Sequence, residues 1–116
     1  MQIHLSPRHL KLTAAIHSFV AEKVSHLESL NDHIIAAHVV LVHDENKDPK
    51  KAFCAKVHLA IPGPDVHAED YDADLYAAID KVTGKLSRQL RKRKTRLKEK
   101  KKHDLQRAVE NKKLRG

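Results

Sequence analysis

A chain of 116 residues has room for one hydrophobic core and not for two. Its 41% hydrophobic content supports a folded body, and a single cysteine, Cys54, excludes an intramolecular disulfide, in keeping with a reducing compartment. The 23 Lys/Arg against 15 Asp/Glu give a net charge of +8; Met1 to Leu5 shows no basic region ahead of an apolar run, and the longest apolar stretch, Ile34 to Val42, is broken by His38, so a cytoplasmic protein with neither signal peptide nor membrane span is expected.

Residues 2–6 alternate Ile3 and Leu5 with Gln2 and His4, which predicts a short strand. Thr13 is placed to cap a helix in which Ile16, Phe19, Val20, Val24, Leu27 and Leu30 recur at three- and four-residue spacing, and Asn31-Asp32 is expected to end it. A second strand is predicted at about 33–43, with Ile35, Ala37, Val39 and Leu41 inward, followed by a polar turn from Asp44 to Lys50. The third strand turns Phe53, Ala55, Val57, Leu59 and Ile61 inward and Cys54, Lys56 and His58 outward. Pro62-Gly63-Pro64-Asp65 is a hairpin signal, so a fourth strand at about 65–71 pairs with the third.

The last element is a long helix beginning at Asp72 or Ala73, with Asp74 at its positive N-terminal end and an apolar stripe of Leu75, Ile79, Val82, Leu86, Leu90 and Leu97. Gly84 inside it costs about 1 kcal/mol against alanine, a cost that fits either close packing or a slight bend. The order β-α-β-β-β-α predicts an α+β domain in which both helices cover one face of a four-stranded sheet and leave the other face solvated. A helix over 74–102 would measure about 43 Å and a nine-residue strand only about 30 Å. The basic end should therefore overhang the sheet, which divides the chain into a folded domain at 1–97 and a basic extension at 98–116, partly helical or mobile.

The charge is unevenly distributed. Residues 85–116 hold fifteen Lys/Arg against Glu99, Asp104 and Glu110, a net +12, whereas residues 1–84 are net −4. A mildly acidic body with a strongly basic arm points to a polyanionic partner, nucleic acid first. Lys81, Lys85, Arg88 and Lys92 fall at spacings of four, three and four, and no acidic residue occurs from 81 to 98. A solvated helix face normally mixes signs, whereas a row of cations at about 5–6 Å pitch suits a phosphate backbone. The four Phe and Tyr residues provide little for base stacking, which favours structured RNA bound through shape and phosphates over single-strand stacking platforms.

Other constellations carry no chemistry. The ten histidines include no H-E-x-x-H pair and have no Cys-x-x-Cys to join them, so no metal is expected. His4, His38 and His58 fall on the open sheet face, where surface imidazoles would add pH-dependent RNA affinity at most. Asp70-x-Asp72-x-Asp74 opens like a calcium loop but has Leu75 at the glycine position and Lys81 at the glutamate position, so these acids are better explained as helix caps. Gly84-Lys85 lacks the rest of a phosphate-binding loop, and Cys54 has no base within its spacing pattern. No catalytic site, cofactor or small-molecule substrate is expected.

Asp74-Leu75-Tyr76-Ala77-Ala78-Ile79-Asp80 followed by Lys85-Leu86-Ser87-Arg88-Gln89-Leu90 resembles the signature of the ribosome hibernation-promoting factors, a family that includes the ribosome-associated translation inhibitors. Leu12-Thr13-Ala14-Ala15-Ile16, Val20-Ala21-Glu22-Lys23 and the Pro62-Gly63 hairpin agree, and the resemblance extends to about residue 103. It implies a fold similar to double-stranded-RNA-binding domains. It also implies a site on the small ribosomal subunit that overlaps the messenger RNA and the A- and P-position transfer RNAs, silencing the 70S ribosome in starvation or stationary phase. The matching positions for contact with 16S rRNA are Lys23, Lys81, Lys85, Arg88, Arg91, Lys92 and Arg96, with Arg8 and Lys11 weaker candidates.

The chain departs from the family pattern at His17, His26 and Ser29, positions often basic in relatives. Its 116 residues contain nothing resembling the second domain of long-form members, so a short-form member is expected. Its basic extension after His103 favours the hibernation-promoting type, in which short forms cooperate with a second small ribosome-dimerising factor. Charge alone leaves open a general structured-RNA or nucleic-acid-binding protein without ribosome specificity. Reversal of Lys85 and Arg88 to glutamate is expected to abolish ribosome association with the fold intact.

Overall fold

The computed structural model describes residues 1–31 and 33–94. Its elements are β1 (Gln2–Arg8), α1 (Ala14–Glu28), β2 (Ala36–His43), β3 (Phe53–Ala60), β4 (Val66–Asp72) and α2 (residues 75–94), with a short 3-10 turn at Pro49–Lys51. The strands form one sheet in the order β1-β2-β3-β4, in which β1 and β2 are parallel and the other neighbours antiparallel. The expected β-α-β-β-β-α arrangement holds. Among the described residues no helix is long and apolar enough to cross a membrane. The end of the predicted helix stripe at Leu97 and the extension at 98–116 lie outside the described residues.

The core lies between one face of the sheet and the two helices. Ala37, Val39, Leu41, Ala55, Val57 and Leu59 meet Val20, Val24 and Leu27 of α1 and Leu75, Ile79, Val82, Leu86 and Leu90 of α2. Strand residues of opposite parity, among them His38, Lys56, His58 and Glu69, are exposed on the open face, as period-two alternation requires.

Local chemistry sets the boundaries. The Thr13 hydroxyl accepts from the Ile16 amide at 3.2 Å and caps α1. That helix stops at Glu28, short of the expected Asn31, because the Ser29 and Leu30 amides turn back to the carbonyls of His26 and Leu27. The Asp72 carboxylate accepts from the Asp74 amide and the Asp74 carboxylate from the Tyr76 amide, so the acids do cap α2. Gly63 takes a φ of +86° in the turn between β3 and β4, a conformation that favours glycine.

Two expectations are corrected, and one of the two readings of Gly84 is excluded. Ile35 is 65% exposed, while Ile34 enters the core, because the regular pleat begins only at Ala36. Cys54 lies on the open side of β3, opposite Val42 and Tyr71, yet it is only 6% exposed. The turn before β3 closes over it, with Lys47 4.5 Å above the Tyr71 ring and Asp48 capping the 3-10 turn through the Lys50 amide. Burial pushes the Cys54 thiol above its ordinary value, consistent with an inert thiol. Gly84 serves no close packing, since a methyl group placed there meets nothing within 4 Å. Gly84→Ala should therefore stabilise the protein by about 1 kcal/mol, read as a higher midpoint of thermal unfolding.

Candidate nucleic-acid interface

Helix α2 runs along the outer edge of β4, and its side chains bond to that edge at every fourth residue. Lys81 donates to the Tyr71 carbonyl at 3.2 Å, Lys85 to the Glu69 carbonyl at 3.1 Å and Gln89 to the His67 carbonyl at 3.2 Å. Arg93 continues the series with hydrogen bonds to the Pro64 and Pro62 carbonyls in the β3–β4 turn. Four helical residues rise about 6 Å and two strand residues about 6.8 Å, so the two repeats stay in step. The ladder occupies acceptors that an edge strand otherwise offers to another chain. Gln89 and Arg93 were not anticipated as part of it, although the spacing 81, 85, 89, 93 was available in the sequence.

This contact changes the standing of the predicted cations. Lys81 is paired with Asp72 at 2.7 Å and Lys85 with Asp70 at 3.1 Å, although both lysines remain half exposed. Lys23, on α1, is paired with Asp80 at 2.9 Å across the groove between the helices, so it faces the other flank of α2. Arg88, Arg91 and Lys92 are exposed on α2. No ion pair among the described residues engages Arg88 or Lys92. Arg96 lies outside the described residues. Arg8 ends β1 at the far edge of the sheet, and Lys11 is exposed in the loop before α1, so neither adjoins the α2 flank.

The Lys85 position bears on the charge reversal considered above. A glutamate there would face the Asp70 carboxylate and lose the bond to the β4 edge, so a modest loss of stability is expected to accompany the loss of binding in that variant. The carboxylates themselves record these contacts. A hydrogen bond from Lys81, followed by the Asp74 amide, holds Asp72 below the usual carboxylate range. Burial pushes Asp70 upward, but the Tyr71 amide and Lys85 outweigh it and the net direction is down. Carboxylates with depressed folded values contribute stability that is complete above about pH 4 and is lost as pH falls through those values. Asp70→Asn with Asp72→Asn should lower the thermal midpoint at pH 7 and flatten its fall between about pH 4 and pH 2.

Among the described residues no three His, Cys, Asp or Glu side chains are grouped to hold a metal ion. The arrangement is suited to an extended anion: a helix flank with exposed guanidinium and ammonium groups, held at a set angle by its ladder to the sheet.

Residues 3–98 match the profile of the sigma 54 modulation protein / S30EA ribosomal protein family. The chain is 41% identical over 97 residues to a ribosome hibernation promotion factor of Deinococcus radiodurans, covering 83% of this chain and 51% of that protein. It is 35% identical over 99 residues to the ribosome hibernation promoting factor of Escherichia coli K12, covering 85% of this chain and 99% of that one. It thus spans about half the length of the first relative and nearly all of the second. Among solved structures, the N-terminal domain of Thermus thermophilus Protein Y superposes with a TM-score of 0.69 at 33% identity, over 79% of this chain and 98% of that domain. A ribosomal subunit interface protein of Coxiella burnetii, 21% identical with a TM-score of 0.71 over 82% of this chain and 99% of that one, shares the fold.

Proposed function

Because the chain belongs to the sigma 54 modulation protein / S30EA ribosomal protein family, the family of the ribosome hibernation factors, we propose that it is a non-enzymatic, cytoplasmic silencer of translation that binds the ribosome. In this reading it occupies the small-subunit channel where messenger RNA and the A- and P-position transfer RNAs pass, inactivating and preserving 70S ribosomes under stress or in stationary phase. The observation that carries the reading is the match across residues 3–98, supported by relatives named for ribosome hibernation.

Within that function the α2 flank makes the contact with 16S rRNA. Arg88 and Lys92 provide the leading phosphate contacts, and Arg91 lies beside them on the exposed flank. Lys81, Lys85 and Lys23 contribute charge from within their ion pairs, and Arg96 extends the flank. Each phosphate neutralised releases counterions, so binding should weaken with salt by about 0.7–0.9 log units per contact for each log unit of salt. The short-form resemblance adds a second small dimerising factor as a further partner.

Co-sedimentation with 70S ribosomes at near-physiological salt, with excess duplex RNA present, tests the reading. Saturable, one-per-ribosome binding that resists the duplex and yields to transfer RNA supports it. Loss of binding to the duplex would leave a general structured-RNA binder and overturn ribosome specificity.

A further inference from the structure

The open face of the sheet carries a histidine from every strand, all in one register row. His4 pairs with His38, His38 with His58, and His58 with His67. All four are exposed. Directly paired residues share a face, so the imidazoles form a single file of three strand spacings, about 14 Å long. The His4 and His38 rings are stacked, with centroids 4.9 Å apart and planes within 11°. That separation equals the spacing between strands, so the two rings stack face to face across neighbouring strands. His38 and His58 meet edge to face, with centroids 6.3 Å apart and planes at 69°, and His58 and His67 are again near parallel at 6.3 Å.

We propose that this row is a second nucleic-acid contact surface, one that grips the phosphate backbone of a single RNA strand through imidazolium edges and tightens as pH falls. It adds a surface to the function proposed above and is tested apart from the α2 flank. Histidine is the side chain that ordinarily gains a positive charge between pH 8 and 5, and among the described residues His58 alone in the row already has a carboxylate partner, Asp65. Protonated rings as close as His4 and His38 repel, and a phosphate seated along them offsets that cost.

The charged groups facing the row are few. Lys56 and Glu69 sit in the next row at 3.8 Å from one another, and the Asp65 carboxylate bonds to His58 Nε2 at 2.7 Å. Both helices pack on the opposite face. On the far side of the row stand Gln2, Ala36 and Ala60, so the cationic track is one ring wide. That width fits one strand, not the two backbones of a duplex, and His4 and His38, whose facing sides are taken up by stacking on each other, offer polar ring edges to phosphates rather than open faces to bases.

The test is fluorescence anisotropy of a short labelled oligouridine with the full chain, at constant ionic strength, near pH 7.5 and about pH 5.5. The unaltered protein should bind about tenfold or more tighter at the lower pH, the worth of one added charge-assisted contact. His4→Gln with His38→Gln and His67→Gln should erase that gain; Arg88→Glu with Lys92→Glu should weaken binding at both pH values and keep the gain. His17→Gln with His26→Gln on α1 should change neither. Ring resonances of His4, His38 and His67 in the unaltered protein should shift when the oligouridine is added at low pH, a readout independent of whether the triple variant folds. Absence of the gain, its survival in a folded triple variant, its loss with His17 and His26, an equal gain on duplex RNA, or unmoved ring resonances would each overturn the proposal.

Discussion

Arg88→Glu with Lys92→Glu is expected to weaken ribosome association on the order of a hundredfold or more while leaving the thermal midpoint within about a degree or two. Each of the two cations stands to lose a charge-assisted phosphate contact of roughly 1.5–3 kcal/mol, and the new carboxylates add repulsion. Stability is spared because both side chains are exposed and no ion pair among the described residues holds either. Lys81→Glu with Lys85→Glu should behave differently. Those substitutions place glutamates against Asp72 and Asp70 and remove two rungs of the ladder to β4, so the midpoint falls together with binding. Sedimentation and thermal unfolding measured on both pairs separate a contact residue from a bracing one. Equal loss of stability in the two pairs would show that Arg88 and Lys92 also brace the fold.

Leu86→Ala is expected to have the largest effect on stability. The side chain is fully buried, in the middle of the α2 stripe that packs on the sheet. Truncation removes its transfer free energy and leaves a cavity, a loss of about 2–5 kcal/mol. That is a large share of the roughly 5–15 kcal/mol by which a domain of this size is stable. A drop of on the order of 10–20 °C in the midpoint should follow, with the urea dependence of the unfolding free energy little changed. Ribosome binding at low temperature, where the variant is still folded, should be nearly unaltered, because no contact on the basic flank is removed. Loss of affinity in the folded variant would show that the angle of α2 on the sheet is itself part of recognition.

Much of the fold was readable in residue order. Alternation in β3, three- and four-residue spacing in α1 and α2, the Thr13 cap and the Pro62-Gly63-Pro64 turn are local patterns, each written within one continuous stretch of the chain. The errors fell where distant residues decide burial. Cys54 alternates outward but is covered by Tyr71 and the turn carrying Lys47. Ile35 has the parity of Ala37 and Val39 but precedes the regular pleat, so Ile34 is buried in its place.

The same division holds at the site. Sequence alone determined that α2 is amphipathic and that its exposed side is cationic, because charge and helical period are properties of consecutive residues. It also marked the family, through Asp74-Leu75-Tyr76-Ala77-Ala78-Ile79-Asp80 and the residues after it. Only the tertiary structure decided which cations are engaged: Lys81 and Lys85 meet Asp72 and Asp70 because α2 lies along the edge of β4 in matched repeat. Only the sheet register brought His67 into line with His4, His38 and His58. Pairing between strands far apart in sequence is fixed by how whole faces pack, and no window along the chain contains that information.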